Sequence, residues 1–340
     1  MDTAIKSPLD TDDVLEQAAS WLAGGRKIAL ATVIRTWGSS PRPVGSQLVV
    51  DDTGAFLGSV SGGCIEGAVI GEAIASMKDG KPRTLEFGVS DEQAWEVGLA
   101  CGGNVHVYVR PESDIGLLQQ LIDARPIALA TNLETGERKL VHPGEAAADV
   151  TAELSEATRV AVRDDKSGTL DSAEGPVFVH AFNRPLRMFI VGAVHISQAL
   201  VPMARAAGYD VTVIDPRGAF ATEARFPEVA LREDWPDEAI DALKIDTRTA
   251  VVTLTHDPKL DDPALERALK SDCFYIGALG SKRTHGKRVE RLTEIGFTES
   301  DIARIHAPVG LDLGATSPAE IAVSILAEII AAKHGKETLR

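Results

Sequence analysis

Aromatic side chains are scarce in this chain: Phe, Trp and Tyr together make up 5% of it, so its cores must be built on Ala, Val, Ile and Leu. Cysteine is scarcer still. Cys64, Cys101 and Cys273 form neither an even set nor a CxxC pair, which speaks against a disulfide framework or structural zinc and for reduced thiols. The histidines form no HExxH pattern and none pairs closely with a cysteine. Basic charge is also short, with 35 Lys and Arg against 50 Asp and Glu and a formal net charge of -15. Such a chain repels nucleic acid and anionic membrane unless a basic stripe offsets it locally. The basic residues are scattered, apart from Lys282, Arg283, Lys287 and Arg288 on one short helical stretch. No apolar run is long enough to span a membrane, and the polar, acidic Met1 to Asp13 lacks the basic-then-apolar order of a signal peptide. The expectation is a cytoplasmic protein that binds neither nucleic acid nor membrane.

What is present suits two domains. Apolar residues at helical spacing from Val14 to Leu22 hand over at Gly24-Gly25 to a β-like run, Ile28 to Ile34. Ser46 to Val50 and Ala55 to Val60 flank the polar cluster Asp51 to Gly54 and predict a hairpin. A helix is expected from Ile65 to about Lys78, and a half-buried strand from Asn104 to Arg110. The segment Gly25 to Thr32 is echoed by Ala124 to Thr131, each after an amphipathic helix; a repeated unit and coincidence within a common element pair both account for it. Glu145 to Gly175 reads as a polar surface lobe with a weak strand at Arg159 to Val162. Asn183-Arg184-Pro185 is the natural junction, since proline restricts its predecessor and a strong β-like run follows. Beyond it, strands and helices alternate: strands at Arg187 to Val191, Asp210 to Asp215, Ala250 to Thr255 and Cys273 to Ile276, and helices at His195 to Ala207, Pro263 to Lys270 and Ala319 to His334. The predicted fold class is α/β, with an N-terminal mixed α/β domain over 1–183 (a variable lobe near 112–182) followed by a Rossmann-like doubly wound parallel-sheet domain over 187–340.

Five glycine-containing segments are candidate sites. Gly192-Ala193-Val194-His195-Ile196-Ser197 follows the first strand of the second domain, as a dinucleotide-binding turn does, but only its first glycine remains. Val194 stands where the second glycine lets backbone approach a pyrophosphate, and its branched side chain is expected to crowd that ligand; Ser197 replaces the third glycine. Asp215 lies where an acid bonds a ribose, and Arg217 follows it. A nucleotide or pterin-nucleotide at the helix N-terminus and a retained fold with an empty pocket are both open. Gly277-Ala278-Leu279-Gly280-Ser281-Lys282-Arg283 is a second possible anion cradle, although its spacing is not that of a Walker A loop; a βα turn with surface cations is the plainer reading. In the first domain, Ser61-Gly62-Gly63-Cys64 leads into a helix, where unpaired amides favour a thiolate, and Cys101-Gly102-Gly103 precedes a strand. Either cysteine alone reads more readily as a small buried residue. The proline-stiffened loop Arg35 to Gly45, with Ser39, Ser40, Arg42 and free amides, suits an oxyanion or phosphate, or serves only as a rigid connection.

Gly38-Ser39-Ser40-Pro41-Arg42-Pro43, Ser61-Gly62-Gly63-Cys64-Ile65-Glu66 and Cys101-Gly102-Gly103 resemble the N-terminal signature of the XdhC/CoxI family. Gly277 to Ser281, Ile305 to Gly314 and the closing helix resemble that family's Rossmann-like domain. The family loop usually reads Gly-Ala-Gly-His where this chain has Gly192-Ala193-Val194-His195, which places a bound dinucleotide in question. The resemblance implies a chaperone of the molybdenum cofactor, a molybdopterin with or without a nucleotide. Such a chaperone protects the cofactor while its sulfido ligand is installed and assists insertion into a xanthine dehydrogenase-type hydroxylase. It implies as partners the apo hydroxylase, a cysteine desulfurase and a second copy of the chain in a homodimer. Cys64 and Cys101 become candidate metal contacts, since a thiolate is a soft ligand. Glu66, the glycines beside the cysteines, and Gly192, His195, Asp215 and Arg217 become candidate cofactor contacts. The chain has no iron-sulfur cysteine set and is too small to be the hydroxylase. The reading from another class is an NAD(P)-dependent oxidoreductase with Asp215 on the ribose.

Overall fold

The computed structural model describes residues 14–38, 40, 42–88, 103–144, 150–173 and 175–336. The chain divides into two compact units between Arg184 and Pro185.

The first unit opens with α1 (Val14–Ala23), β1 (Ile28–Trp37), β2 (Gln47–Asp51), β3 (Phe56–Gly58), α2 (Glu66–Asp79), β4 (Arg83–Phe87) and β5 (Asn104–Glu112). The five strands form an antiparallel sheet in the order β3-β2-β1-β5-β4. Seven successive buried residues begin β1, because both faces of the sheet are covered. Ala29, Ala31 and Val33 meet Ile65, Val69 and Ala73 at and along α2, whereas Ile28 and Leu30 turn to α1, as the two-residue period of a strand requires. A register shift between Val33 and Arg35 breaks this alternation and re-aims the strand's last residues, a common use of such irregularities.

A second antiparallel sheet follows, built from α3 (Ile115–Asp123), β6 (Ile127–Asn132), β7 (Arg138–Val141), α4 (Ala152–Asp164), β8 (Gly168–Ser172) and β9 (Gly175–Phe182), in strand order β7-β6-β9-β8. The echoed segments meet here: Val14, Leu15, Ile28 and Leu30 share one core with Leu118, Leu121, Ile127 and Leu129. The strand expected at Arg159 to Val162 is instead the middle of α4. Thr151 caps that helix by accepting from the Leu154 amide at 3.2 Å. Leu154, Ala157, Ala161 and Val162 then pack on Ala128 and Val179, so helical spacing outweighs the β-branched residues. The stretch read as a surface lobe therefore supplies α4 and the edge strand β8.

The second unit runs β10 (Leu186–Val191), α5 (His195–Ala206), β11 (Tyr209–Ile214), β12 (Ala230–Arg232), α6 (Pro236–Leu243), β13 (Thr249–Thr253), α7 (Pro258–Leu269), β14 (Tyr275–Ala278), α8 (Lys282–Glu294), α9 (Glu299–Ile302), β15 (Ile305–His306) and α10 (Pro318–Lys333). All pairings are parallel, in the order β12-β11-β10-β13-β14-β15, which is the doubly wound dinucleotide-fold order with its switch point between β10 and β13. One face packs against α5 and α10 through Leu200, Ala204, Ile325 and Ile329. The other packs against α6 and α7 through Ile240, Ala264 and Leu265. Helix α7 starts five residues before the expected Pro263, because Asp257 accepts from the Lys259 amide at 3.0 Å and Pro258 suits the first turn.

Candidate functional site

In the five-stranded sheet, Thr32 pairs with Gln47, Leu48 with Gly58, Trp37 with Asn104 and Phe87 with Val105. The ends of β1, β3 and β4 and the starts of β2 and β5 therefore lie at one end of the sheet. The loops leaving that end carry two of the segments singled out in the sequence, Arg35 to Gly45 and Ser61 to Cys64. Ser39, Cys101 and Gly102 lie outside the described residues. Gly88 and the buried Gly103, the described residues on either side of 89–102, are both at this end.

The register shift in β1 leaves Arg35 exposed. Two residues on, Trp37 is 72% exposed, an unusual position for a large apolar ring and one that composition and motif spacing did not single out. The Ser40 hydroxyl donates to the Arg42 carbonyl at 2.8 Å. The Arg42 Nε is buried and finds no acceptor among the described residues, and neither Arg35 nor Arg42 is engaged there by a carboxylate. The far end of the loop is fixed: the Gly45 amide donates to the Val33 carbonyl at 2.8 Å. His180 on β9 also bonds the Gly45 backbone; burial drives its pKa down to about 3, so the imidazole there is neutral. A held loop that offers two guanidinium groups can take an oxyanion or a planar polar ring.

Cys64 is an exposed free thiol. Gly62 and Gly63, at φ 78 and 117, shape its loop in conformations that L side chains rarely adopt. Glu66 does not face outward with them. Its carboxylate accepts from the Ser59 hydroxyl at 2.8 Å and from the amides of Val60, Ser61, Gly62 and Gly63 at 3.2, 2.9, 3.1 and 2.8 Å. The Ser61 hydroxyl donates to it as well. Burial opposes ionisation, but the bonds from Ser61, Ser59 and the amides prevail and hold the carboxyl at about 2. Glu66 is thus engaged inside the loop rather than displayed as the contact expected from sequence. Cys273, by contrast, is buried in the second unit, and burial pushes its thiol pKa up.

In the second unit the glycine turn is closed by its own acid. Asp215 is fully buried; its carboxylate accepts from the Ala193 amide at 2.8 Å and from Arg217 Nε and Nη2 at 2.8 and 2.7 Å. Burial alone would raise its pKa, and Arg217 with the amides holds it below the ordinary range. Asp215, read as a ribose contact, and Arg217 after it are therefore spent on each other. The Ser197 hydroxyl donates to the Gly192 carbonyl, locking the turn where a third glycine would stand. A Cβ on Gly192 would lie 2.7 Å from the Thr255 methyl, so this glycine is needed for packing. Val194, the expected obstacle, packs partly against the core, and Asp215 is what occupies the turn. His195 is exposed at the first position of α5.

The Gly277 segment is divided likewise. Gly277 is inside β14, where a Cβ would lie 2.6 Å from Val309, and Ser281 caps α8 by accepting from the Thr284 amide at 3.2 Å. Gly280 turns the chain at φ 133. Lys282 and Arg283 are exposed, and Arg283 lines a cleft of about 250 Å³ with Pro258, Thr284, Lys287 and Arg291. Arg288 is 2% exposed and lies 3.7 Å from the buried Asp261, an internal pair that its place in a basic stretch did not reveal.

Among the described residues no group of three or more His, Cys, Asp or Glu could hold a metal ion, and no helix is long and apolar enough to cross a membrane. Residues 21–88 match the XdhC and CoxI family, and residues 188–329 match the XdhC Rossmann domain. A relative from Escherichia coli named molybdenum cofactor insertion chaperone PaoD is 30% identical over 331 residues, covering 96% of this chain and 91% of that protein. A Bacillus subtilis relative, named as one of the probable subunits of xanthine dehydrogenase, is 27% identical over 88% of this chain and 92% of its own length. A solved structure described as a xanthine dehydrogenase from Bacillus halodurans superposes with a TM-score of 0.75 at 25% identity, covering 95% of this chain and 96% of that one. The chain belongs to the XdhC and CoxI family.

Proposed function

We propose that this chain is a carrier of the molybdenum cofactor, which it receives, shelters and passes to an apo molybdenum hydroxylase of the xanthine dehydrogenase type. The observation that carries the reading is the gathering of an exposed thiol, Cys64, and a loop with two arginines that no acid among the described residues engages, at one end of one sheet. The relative named as a cofactor insertion chaperone, similar over nearly the whole chain, supplies the identity of the cargo.

The residues present fit such a cargo. Arg35, Arg42 and Ser40 would hold the phosphate and polar edge of the pterin through hydrogen bonds, those from the guanidinium groups charge-assisted. Cys64 would meet the metal side as a single soft thiolate, and Cys101, two residues before Gly103 in the sequence, is the second candidate contact. The bound cofactor supplies the molybdenum chemistry used later in the hydroxylase. The protein's part is to grip, orient and keep water away. Release follows when the hydroxylase binds the same cargo more tightly. Sulfuration would be performed by a cysteine desulfurase docked on the loaded carrier, which works in the cytoplasm as a homodimer. A nucleotide on the pterin, if present, would need contacts other than the Ala193 amide, which Asp215 already holds.

The test is metal and pterin content after expression with an intact cofactor pathway. Cys64→Ala or Cys101→Ala should reduce loading at least about tenfold, the effect of losing ~1.4 kcal/mol of affinity. Equal loading of wild type and both variants would remove the cysteines from the grip.

A further inference from the structure

Every backbone amide from Val60 to Ile65 has an acceptor inside the chain. Those of Val60 to Gly63 go to Glu66, and those of Cys64 and Ile65 go to the Ser61 hydroxyl oxygen at 3.1 and 3.0 Å. The Gly62 amide also reaches the Ser59 hydroxyl at 2.8 Å. Ser61, 1% exposed, accepts both amides while donating to Glu66, so its hydroxyl is fully used. A run of amides turned inward on one point is the geometry that binds phosphate in glycine-rich loops. Here the anion is part of the chain.

We infer that Glu66 is the positioning residue of the Cys64 loop: its carboxylate fills the loop's amide nest, bars an external phosphate from it, and holds Cys64 at the surface in one conformation. The inference rests on the reading of Cys64 as a cofactor contact and sharpens it. Since the loop before α2 has no amide to spare, the anionic end of the cargo must be held by the Arg35 to Gly45 loop, and the Cys64 loop contributes a thiol alone. The buried negative charge at the start of α2 also offsets the positive end of that helix beside the thiol. Carboxylate and thiol are thereby separated: the acid is spent inside and the sulfur is displayed.

The experiment follows alkylation of Cys64 by iodoacetamide in the full-length apo protein, site by site, by mass spectrometry. Glu66→Ala empties the amide nest and releases the loop from its one conformation, so Cys64 should react about tenfold faster near neutral pH. Added formate should enter the emptied nest and return the rate toward wild type, while leaving the wild-type rate unchanged. Ser59→Ala, which removes a single bond to the carboxylate and leaves the helix intact, should give a change of about twofold in the same direction. It keeps the test alive if Glu66→Ala does not fold. Unchanged Cys64 rates in the folded variants, or a folded Glu66→Ala that ignores formate, would overturn the inference. Cofactor loading is a separate readout: wild-type loading in Cys64→Ala removes the thiol from the grip on the cargo, while the formate response still stands or falls by itself.

Discussion

The turn after β10 and the loop before α2 use the same device to different ends. In each, a carboxylate of the chain enters a glycine-shaped set of amides: Asp215 takes the Ala193 amide, and Glu66 takes those of Val60 to Gly63. At the β10 turn the neighbouring cation is drawn in too, since Arg217 closes on Asp215, and what remains outside is His195 at the start of α5. At the α2 loop the acid is consumed, but the thiol beside it stays exposed, and Arg35 and Arg42 of the adjoining loop keep their guanidinium groups unpaired by acids among the described residues. A glycine-rich turn is a ligand site only if its donors are left over once the chain has satisfied itself. By that measure the Rossmann-like unit's first turn is scaffold, and the chemistry available for cargo is in the first unit.

The largest effect should be seen in the thiols. In the native protein iodoacetamide should modify Cys64 on the order of 100-fold or more faster than Cys273, because the buried thiol reacts only after local opening. Comparable rates, read by mass mapping, would erase the contrast between the two units. Next come the glycines. Gly192→Ala should cost about 3 kcal/mol, combining a positive φ with a clash on Thr255. Gly63→Ala, which has a positive φ but open space around its Cβ, should cost only about 1 kcal/mol. Urea midpoints of the two variants measure this, and equal losses would mean that Gly192 is not a packing residue.

Much of the second unit could be read along the chain, because each βα turn is local: strand periodicity, the glycine of residue 192 and the acid at 215 lie within one repeat. Whether that acid waits for a ribose or bonds the turn is a matter of side-chain direction, and the same residue pattern serves both. The first unit's site was less legible for a topological reason. The β2–β3 hairpin is local and expected, but Trp37 meets Asn104 only through antiparallel pairing over a long separation, so no local signal says that Arg35, Cys64 and Gly103 share one end of a sheet. Glu66 was identified as part of the motif but not as its internal anion, since spacing to two glycines does not tell an inward carboxylate from an outward one. Trp37 had a usable signal, an aromatic directly before Gly38 in an arginine and serine loop, in a chain with few aromatics to spare. The α4 error came from weighing Val160 and Val162 above the cap at Thr151 and the spacing of Leu154, Ala157 and Ala161.

Acid should expose both inward carboxylates, with a different reach for each. Glu66 is held at about 2 against an ordinary 4.5, so its stabilisation is complete above pH 4.5 and is lost as pH falls toward 2. Glu66→Gln should therefore be less stable than wild type near pH 6, by about 1–2 kcal/mol once solvent screening at this surface loop is allowed for. The gap should close in acid. Asp215, depressed from 3.8, has the same sign, and Asp215→Asn should converge with wild type below pH 3.8. Urea midpoints across this range decide it; a gap that widens as pH falls would show that the nest prefers a neutral occupant.

The smallest effect should come from Arg217. Its side chain is 40% exposed while its partner is 0% exposed, so truncation leaves Asp215 with the Ala193 and Arg217 amides and with water reaching the vacated side. Arg217→Ala should cost ~1 kcal/mol or less, the range of an ion pair open to solvent. It should also leave cofactor loading at the wild-type level, because a guanidinium already committed to Asp215 has little to give a phosphate. Arg42→Ala, the corresponding loss in the first unit, should lower loading with little change in stability. If instead Arg217→Ala sheds the cofactor and Arg42→Ala retains it, the two loops have exchanged roles: the Asp215 pair would then be a latch that opens for a ligand, and the donors counted as spent at the β10 turn would be the ones the cargo uses.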